Sequence, residues 1–379
     1  MAQKEKNIYR NLQKHLDKQP VGYPATKSGS DIRVLKGLFK PEEAEIAMKL
    51  NYKPRSLEQI HRDAGESGIA LEKLKNFLDE MSKNGLIGYL EKDGIPHFYN
   101  TPLVVGMYEG QLYKLTPELL SDFEDYAKDK TFGLEFLSSK LPQMRTIPIE
   151  KSITPEHHVA TYDHLMGIIE STKGPFFINE CICRKSSAVK GNPCQQTSRL
   201  ETCLAIGDMA KTCIRSGLGG REITRDEAID ISFQNQEEGL VLQPNNAQQA
   251  EFICACCGCC CGILQMQKTL PKPIDFWSTN YYAKVDAEDC TGCGTCLERC
   301  QTGAISINEK LNISRVNLNR CVGCGNCVTS CETGAMSLVK KERELVPPKT
   351  PEELFDIIMA NKKGKIGKAR LAAKLMLKI

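Results

Sequence analysis

An α+β fold shared among several domains is the architecture that this sequence predicts, and three observations predict it. The chain has 379 residues, long for one hydrophobic core. All 19 cysteines fall between Cys181 and Cys331, so the N-terminal part differs in composition from the rest. Helical and two-residue periodicities follow one another over residues 41 to 110, and an internal repeat occupies residues 281 to 340. Four regions result: 1–110, 111–280, 281–340 and a basic helical tail over 341–379.

With 41% apolar and 26% charged residues, the composition is that of an ordinary globular protein. The start, MAQKEKNIYR, lacks the apolar core of a secretory signal, and no later run approaches the ~18 apolar residues that a spanning helix needs. A cytoplasmic protein is expected. A secreted disulfide scaffold would be short and would spread its cysteines, whereas reduced cytosolic thiols remain available as metal ligands.

In the first region, Pro41 to Leu50 and Ser56 to Gly65 read as short helices, the second capped by Ser56 with Gln59 three residues on. Leu71, Leu74, Leu78 and Met81 recur at helical spacing, Gly85 supplies a stop, and GYLEKDGIPHFY reads as a hairpin turning at Asp93-Gly94. Three helices followed by a hairpin resemble a winged helix-turn-helix domain. The helix that would read DNA carries Lys73, Lys75 and Lys83 but also Glu72, Asp79 and Glu80. So neutral a face does not match a polyanion, so docking to protein is expected in place of nucleic acid.

Residues 111 to 180 read as helical connection, with Thr116-Pro117 and Thr154-Pro155 as helix starts. His157, His158 and His164 lack a metal-ligand spacing and read as surface or core residues.

From Cys290 the chain reads CTGCGTCLERCQTGAIS and from Cys321 it reads CVGCGNCVTSCETGAMS, an offset of 31 residues. Each copy is C-x2-C-x2-C-x3-C, and the pair resembles the bacterial two-cluster ferredoxins over about 60 residues. Three thiolates on a tight glycine-containing loop can reach three irons of one cubane, while the fourth cysteine is expected to begin a helix that points away. The resemblance implies one [4Fe-4S] cluster on Cys290, Cys293, Cys296 and Cys331, and another on Cys321, Cys324, Cys327 and Cys300. The proline usual after the fourth cysteine is replaced by Gln301 and Glu332, which is expected to loosen the local turn. Zinc ribbons also use C-x2-C pairs, but they separate the two pairs by a long gap. Two oxidised cubanes, each about −2 with its thiolates, would move the formal net charge from +3 to about −1.

Cys181 and Cys183 alternate on an apolar, strand-like segment; Cys194 follows Gly191-Asn192-Pro193 in a loop; Cys203 falls at an expected helix start. These four would converge as ligands of a further cluster, with Arg184 and Lys185 offsetting its negative charge; zinc and buried structural thiols are the alternatives. Cys213 lies in or just after the expected helix. A helix is expected from Thr224 to Gly239, followed by ICACCGCCCGIL, in which six thiols occupy eight positions from Cys254 to Cys261. Neighbouring side chains diverge, so these six cannot bind one metal; Cys254, Cys256, Cys257 and Cys260 are the candidate ligands.

This order of a CxCR segment, a helix ending in a GLV-like turn, a CC-x-CCC segment and a two-cluster repeat is similar to that of iron–sulfur proteins of anaerobic microbes. That resemblance covers residues 175 to 340 and implies redox chemistry without naming a substrate. The CCG elements at Cys256-Cys257-Gly258 and Cys260-Cys261-Gly262 also resemble those of heterodisulfide reductase subunits, whose remaining spacings are not matched.

No dinucleotide fingerprint, phosphate loop or haem motif is present. The expected function is therefore single-electron transfer by [4Fe-4S] clusters, two in the repeat and one or two in the middle region. Donor and acceptor would be redox proteins, the chain acting as a carrier or as a subunit of an oxidoreductase complex. A thiol/disulfide redox enzyme and a cluster-dependent regulator are the alternatives. After Asn361 the tail has seven Lys or Arg and no acid, with Ala369, Ala372, Met376 and Ile379 along one side of an expected helix. It would pack on its own protein or dock an acidic partner or membrane surface.

Overall fold

The computed structural model describes residues 2–63, 65, 69–139, 141–217 and 219–377, without the side chains of residues 2–6. Position 64 of the second expected helix and Ile379 of the tail lie outside the described residues. The described chain mixes helices and strands throughout. It divides into two bodies, one built from residues 1–140, 208–221 and 355–372, the other from residues 141–207, 222–354 and 373–379.

In the first body, helices Ala2–Asp17 and Ser30–Leu38 precede a second helical group. Neither of the two was foreseen. Their stripes of Tyr9, Leu12, Leu16, Val34 and Leu35 join Ile46, Ile60, Leu74, Leu78 and Phe98 in one core. Each of these aliphatic chains contributes about 1.5–3 kcal/mol on burial. Helix Leu57–Asp63 begins with a reciprocal cap, Gln59 N–H donating to Ser56 Oγ at 3.3 Å and Ser56 N–H donating to Gln59 Oε1 at 3.0 Å. Helix Leu71–Lys83 buries Leu74, Leu78 and Met81, while Leu71 at its start stays exposed.

Strands Gly88–Lys92 and Ile95–Tyr99 form the hairpin, and Arg55–Ser56 pairs with the second of them to complete a three-stranded antiparallel sheet. Helix Asp208–Ser216, although flanked in sequence by the cysteine-rich region, packs here. Its Arg215 lies 4.0 Å above the Tyr89 ring and donates to Asp79 Oδ1 at 2.5 Å and Ser82 Oγ at 2.6 Å. In the tail, Lys362 and Lys368 pair with the buried Glu135. Helix Lys365–Met376 turns Leu371 inward, whereas Ala369 and Met376 of the expected stripe are exposed. The registration of the stripe is thus corrected, because the aliphatic Leu371 gains more from burial than the alanines beside it.

The second body is organised by a sheet with strands in the order Phe176–Glu180, Glu201–Ile206, Phe252–Cys256, Val241–Pro244. These four strands pair antiparallel, with Ile178 opposite Leu204, Leu204 opposite Ile253, and Gln243 opposite Cys254. Helix Arg225–Glu237, capped by Thr224 Oγ1, which accepts from Glu227 N–H at 3.1 Å, packs across Phe176–Glu180 and Glu201–Ile206. Ile168, Ile169, Phe176, Ile178, Ile206, Leu242 and Ile253 fill the core.

The repeat folds as two small antiparallel pairs, Tyr281–Val285 with Met336–Lys340 and Ile305–Asn308 with Ile313–Val316. His157 contacts the Leu338 carbonyl through Nε2 at 2.7 Å, and His164 Nδ1 caps helix Leu165–Ser171 by accepting from Gly167 N–H at 3.2 Å. At Thr154-Pro155 there is only a short turn, Pro155–His157. Arg145 and Asp163, both buried, pair at 3.3 Å, and Asn280 Nδ2 donates to the second Asp163 oxygen at 2.6 Å.

Candidate metal centres

None of the 19 cysteines is paired in a disulfide. In the repeat, Cys290, Cys293 and Cys296 lie on one loop, and Cys321, Cys324 and Cys327 on the other. The loops are tight because Gly292 and Gly323 adopt φ of 68° and 66°, and a Cβ on either would come within 2.2 Å of a carbonyl, that of Asn312 or Tyr281. Backbone N–H groups aim at the sulfurs, Ser314 at Cys290 and Ala283 at Cys321, each 3.3 Å, and Ala304 at Cys300, 3.2 Å. Such donors stabilise thiolate sulfur and suit a bound cluster.

Cys300 does not begin a helix; it ends helix Thr295–Arg299 as its C-cap. The direction was misread because Thr295 already enters the helical conformation after Gly294. Cys300 nevertheless neighbours Cys321, Cys324 and Cys327 electrostatically. The two loops differ in exposure at their first two cysteines, and the third is buried in both. Cys293 is exposed and Cys290 half-buried, whereas Cys321 and Cys327 are buried. The Ser314 N–H holds Cys290 below the usual thiol range, and burial pushes Cys324 up to about 12. A thiol so raised becomes a ligand only when a metal supplies the compensating positive charge.

Cys194 lies in a loop, as expected, but Cys181, Cys183 and Cys203 stand on elements other than those expected. Strand Phe176–Glu180 stops before Cys181, which is the N-cap of helix Ile182–Val189, and Cys183 lies in that helix's first turn. Cys203 is on strand Glu201–Ile206, not at a helix start, and Cys213 is on helix Asp208–Ser216 of the first body. The expected strand character of I-C-I gives way to a helical turn, in which Lys185 N–H donates to the Cys181 carbonyl at 3.0 Å.

Two sulfur groups result. One is a closed circuit of neighbours: Cys181 with Cys183 and Cys203, Cys183 with Cys261, Cys261 with Cys256, Cys256 with Cys254, and Cys254 with Cys203. The other contains Cys194, Cys257, Cys259 and Cys260, whose sulfurs all lie within 4.8 Å of one another. Cys194 therefore leaves the set in which the sequence placed it, and Cys259 and Cys261, which the sequence passed over, complete the two groups. Strand alternation was the available signal: Cys254 and Cys256 share a face of Phe252–Cys256, so Cys257 must turn the other way.

Arg184 connects the groups. It is 1% exposed, and its guanidinium donates to Thr202 Oγ1 and to the Ala255 carbonyl, the latter at 2.8 Å. Burial opposes its charge, but Cys181, Cys257 and Cys203 hold its pKa above the ordinary value. The first group also adjoins the repeat, since Cys256 and Cys261 pack with Val241, Leu264 and Val322 against Cys254 and Cys324. A second junction is polar. Gly258 N–H donates to Gln301 Oε1 at 2.8 Å, and Gln301 Nε2 donates to Gln196 Oε1 at 2.8 Å. Gln301 is buried, so the residue standing in place of proline fastens this turn instead of loosening it.

A family model described as a 4Fe-4S dicluster domain matches residues 289–335. No curated protein and no solved structure matches the chain. The C-terminal part is thus a ferredoxin-like domain, and the chain is an iron–sulfur protein with 4Fe-4S clusters. Among the described residues no helix is long and apolar enough to cross a membrane.

Proposed function

We propose that this protein relays single electrons between protein partners through two clusters in the repeat and a further cluster that takes its four ligands from among Cys181, Cys183, Cys203, Cys254, Cys256 and Cys261. When bound, clusters of this kind take up and release one electron at a time. Each electron drawn from a reduced donor leaves to an oxidised acceptor, with no bond made or broken. The observation that carries the reading is the graded exposure of adjoining sulfur sites. In the first loop Cys293 is exposed, Cys290 half-buried and Cys296 buried; in the second Cys321 and Cys327 are buried and Cys324 half-buried; and Cys256 and Cys261, packed beside Cys324, are buried. The ligand sets would be Cys290, Cys293, Cys296 and Cys331, reaching the surface at Cys293, and Cys300, Cys321, Cys324 and Cys327. A partner therefore meets the Cys293 end.

The module over residues 41–99 is read as winged-helix-like and as a protein-docking element. Support comes from Asp79 and Ser82 of its third helix, which are engaged by Arg215 of the same chain, and from that helix's mixed charge. The tail, with Ile366 and Met376 exposed beside its basic residues, suits an acidic partner. The setting is the reducing cytoplasm, where cysteines outside disulfides stay available as metal ligands.

The test is anaerobic purification with iron and acid-labile sulfide counts. Reduction by a low-potential donor and reoxidation by an acceptor protein are then followed. Expected is sulfide-bound iron beyond the ~8 of the repeat, diminished in Cys256→Ser and Cys261→Ser. A count of about eight that neither substitution changes would remove the third cluster from the scheme.

A further inference from the structure

The sulfur group of Cys194, Cys257, Cys259 and Cys260 has a geometry of its own. Cys194 Sγ lies 3.6 Å from Cys257 Sγ and 3.7 Å from Cys259 Sγ, and Cys259 Sγ lies 3.7 Å from Cys260 Sγ. Four thiolates at the ~2.3 Å bond length of zinc, set at the corners of a tetrahedron, stand about 3.8 Å apart. Ligands of a cubane bind four different irons and must stand farther apart. The same molecule offers the comparison: among the described residues, the eight cysteines of the repeat form no group whose sulfurs all lie within 4.8 Å.

We propose that Cys194, Cys257, Cys259 and Cys260 bind one four-coordinate divalent ion, zinc or a single iron, as a closed tetrathiolate site separate from the clusters. All four positions are filled by protein, which is the arrangement of a structural site and leaves no place for substrate. Cys257 and Cys260 are buried and Cys194 and Cys259 half-buried, so the ion is shielded from exchange. The surrounding residues fix the turn that presents the ligands. Gly258 gives its N–H to Gln301, and its carbonyl accepts from Lys268 Nζ at 3.0 Å. A Cβ at Gly258 would come within 2.2 Å of the Gln301 carbonyl. Arg184, beside Cys257, supplies positive charge against the four thiolates.

The site has a structural consequence. It joins the loop at Cys194 to the turn after strand Phe252–Cys256 and commits Cys257, Cys259 and Cys260 to one ion. Cys254, Cys256 and Cys261 are thereby left to the other group.

The full chain, produced with zinc and iron both supplied and purified anaerobically, is analysed for zinc, iron and labile sulfide, and by X-ray absorption. Expected is one zinc per chain with four sulfur neighbours and no metal–metal scattering, or one iron in excess of sulfide. Cobalt(II) added as a probe should give the intense visible bands of a tetrahedral tetrathiolate. Cys259→Ser and Cys194→Ser should each lose that one ion while the paramagnetic signal of the reduced repeat persists. Loss of about four irons together with four sulfides in Cys259→Ser would overturn the proposal in favour of a cubane. So would a wild-type chain in which all metal is accounted for by sulfide-bound iron. If the variants do not fold, the zinc absorption edge and the cobalt spectrum of the wild-type chain decide.

Discussion

Cys256 and Cys257 are consecutive in the chain, yet their thiols enter different sulfur groups, Cys256 beside Cys254 and Cys261, Cys257 within 3.6 Å of Cys194. Strand geometry imposes this, since successive side chains leave a strand on opposite faces. A segment dense in thiols thus contributes to two sulfur groups, with Arg184 beside members of both.

Arg184 is the first residue to test. Arg184→Leu removes a buried cation from beside the thiols and leaves the Ala255 carbonyl without its donor, which should cost about 1–3 kcal/mol. Anaerobic denaturant unfolding should show that loss together with reduced iron in the middle region. Arg184→Lys keeps the charge and should retain more iron than the leucine variant; equal iron in both would show that shape matters and charge does not.

Gln301→Leu keeps the volume and removes the acceptor for Gly258 N–H. A buried donor left unpaired costs about 1–3 kcal/mol, and the ferredoxin-like domain should keep its iron. Hydrogen exchange at Gly258 is the direct measurement, and protection equal to wild type would contradict the proposed fastening.

Gly323→Ala places a methyl group where the Tyr281 carbonyl stands, at a positive φ. Strain of about 1–3 kcal/mol falls on the loop that carries Cys321, Cys324 and Cys327. The expected outcome is about four fewer irons per chain, read by iron analysis, with the Cys290 loop unaffected.

Arg145→Met leaves Asp163 buried without its cation and should destabilise the protein by about 3–5 kcal/mol near neutral pH. Burial already raises the Asp163 pKa above its ordinary value, and losing Arg145 raises it further. With its folded pKa above the unfolded one, the carboxyl destabilises the fold once it is ionised. The deficit of the variant should therefore shrink as pH falls through the raised pKa. Denaturation midpoints for both proteins at several pH values check this; a constant deficit would show that Asp163 is not the source.

Local features were legible in the sequence and non-local ones were not. Caps at Ser56, Thr116 and Thr224 and the turn at Asp93-Gly94 depend on residues a few positions apart, and each stands where its chemistry put it. The repeat was legible because its ligands carry their own spacing. Cys194, by contrast, meets partners 63 and 65 residues away, and nothing in its own loop names them. Helix Ala2–Asp17 escaped notice because Tyr9, Leu12 and Leu16 form a thin stripe among charges, which becomes decisive only when the rest of the core is present to receive it.

The division of the chain between its two bodies bears on biosynthesis. The first body draws on residues 355–372 as well as on 1–140 and 208–221. Glu135, buried in the N-terminal part, awaits Lys362 and Lys368 for its neutralisation. On the ribosome, then, the N-terminal body stays incomplete until every cysteine up to Cys331 has emerged, and metal insertion can begin before that body is finished.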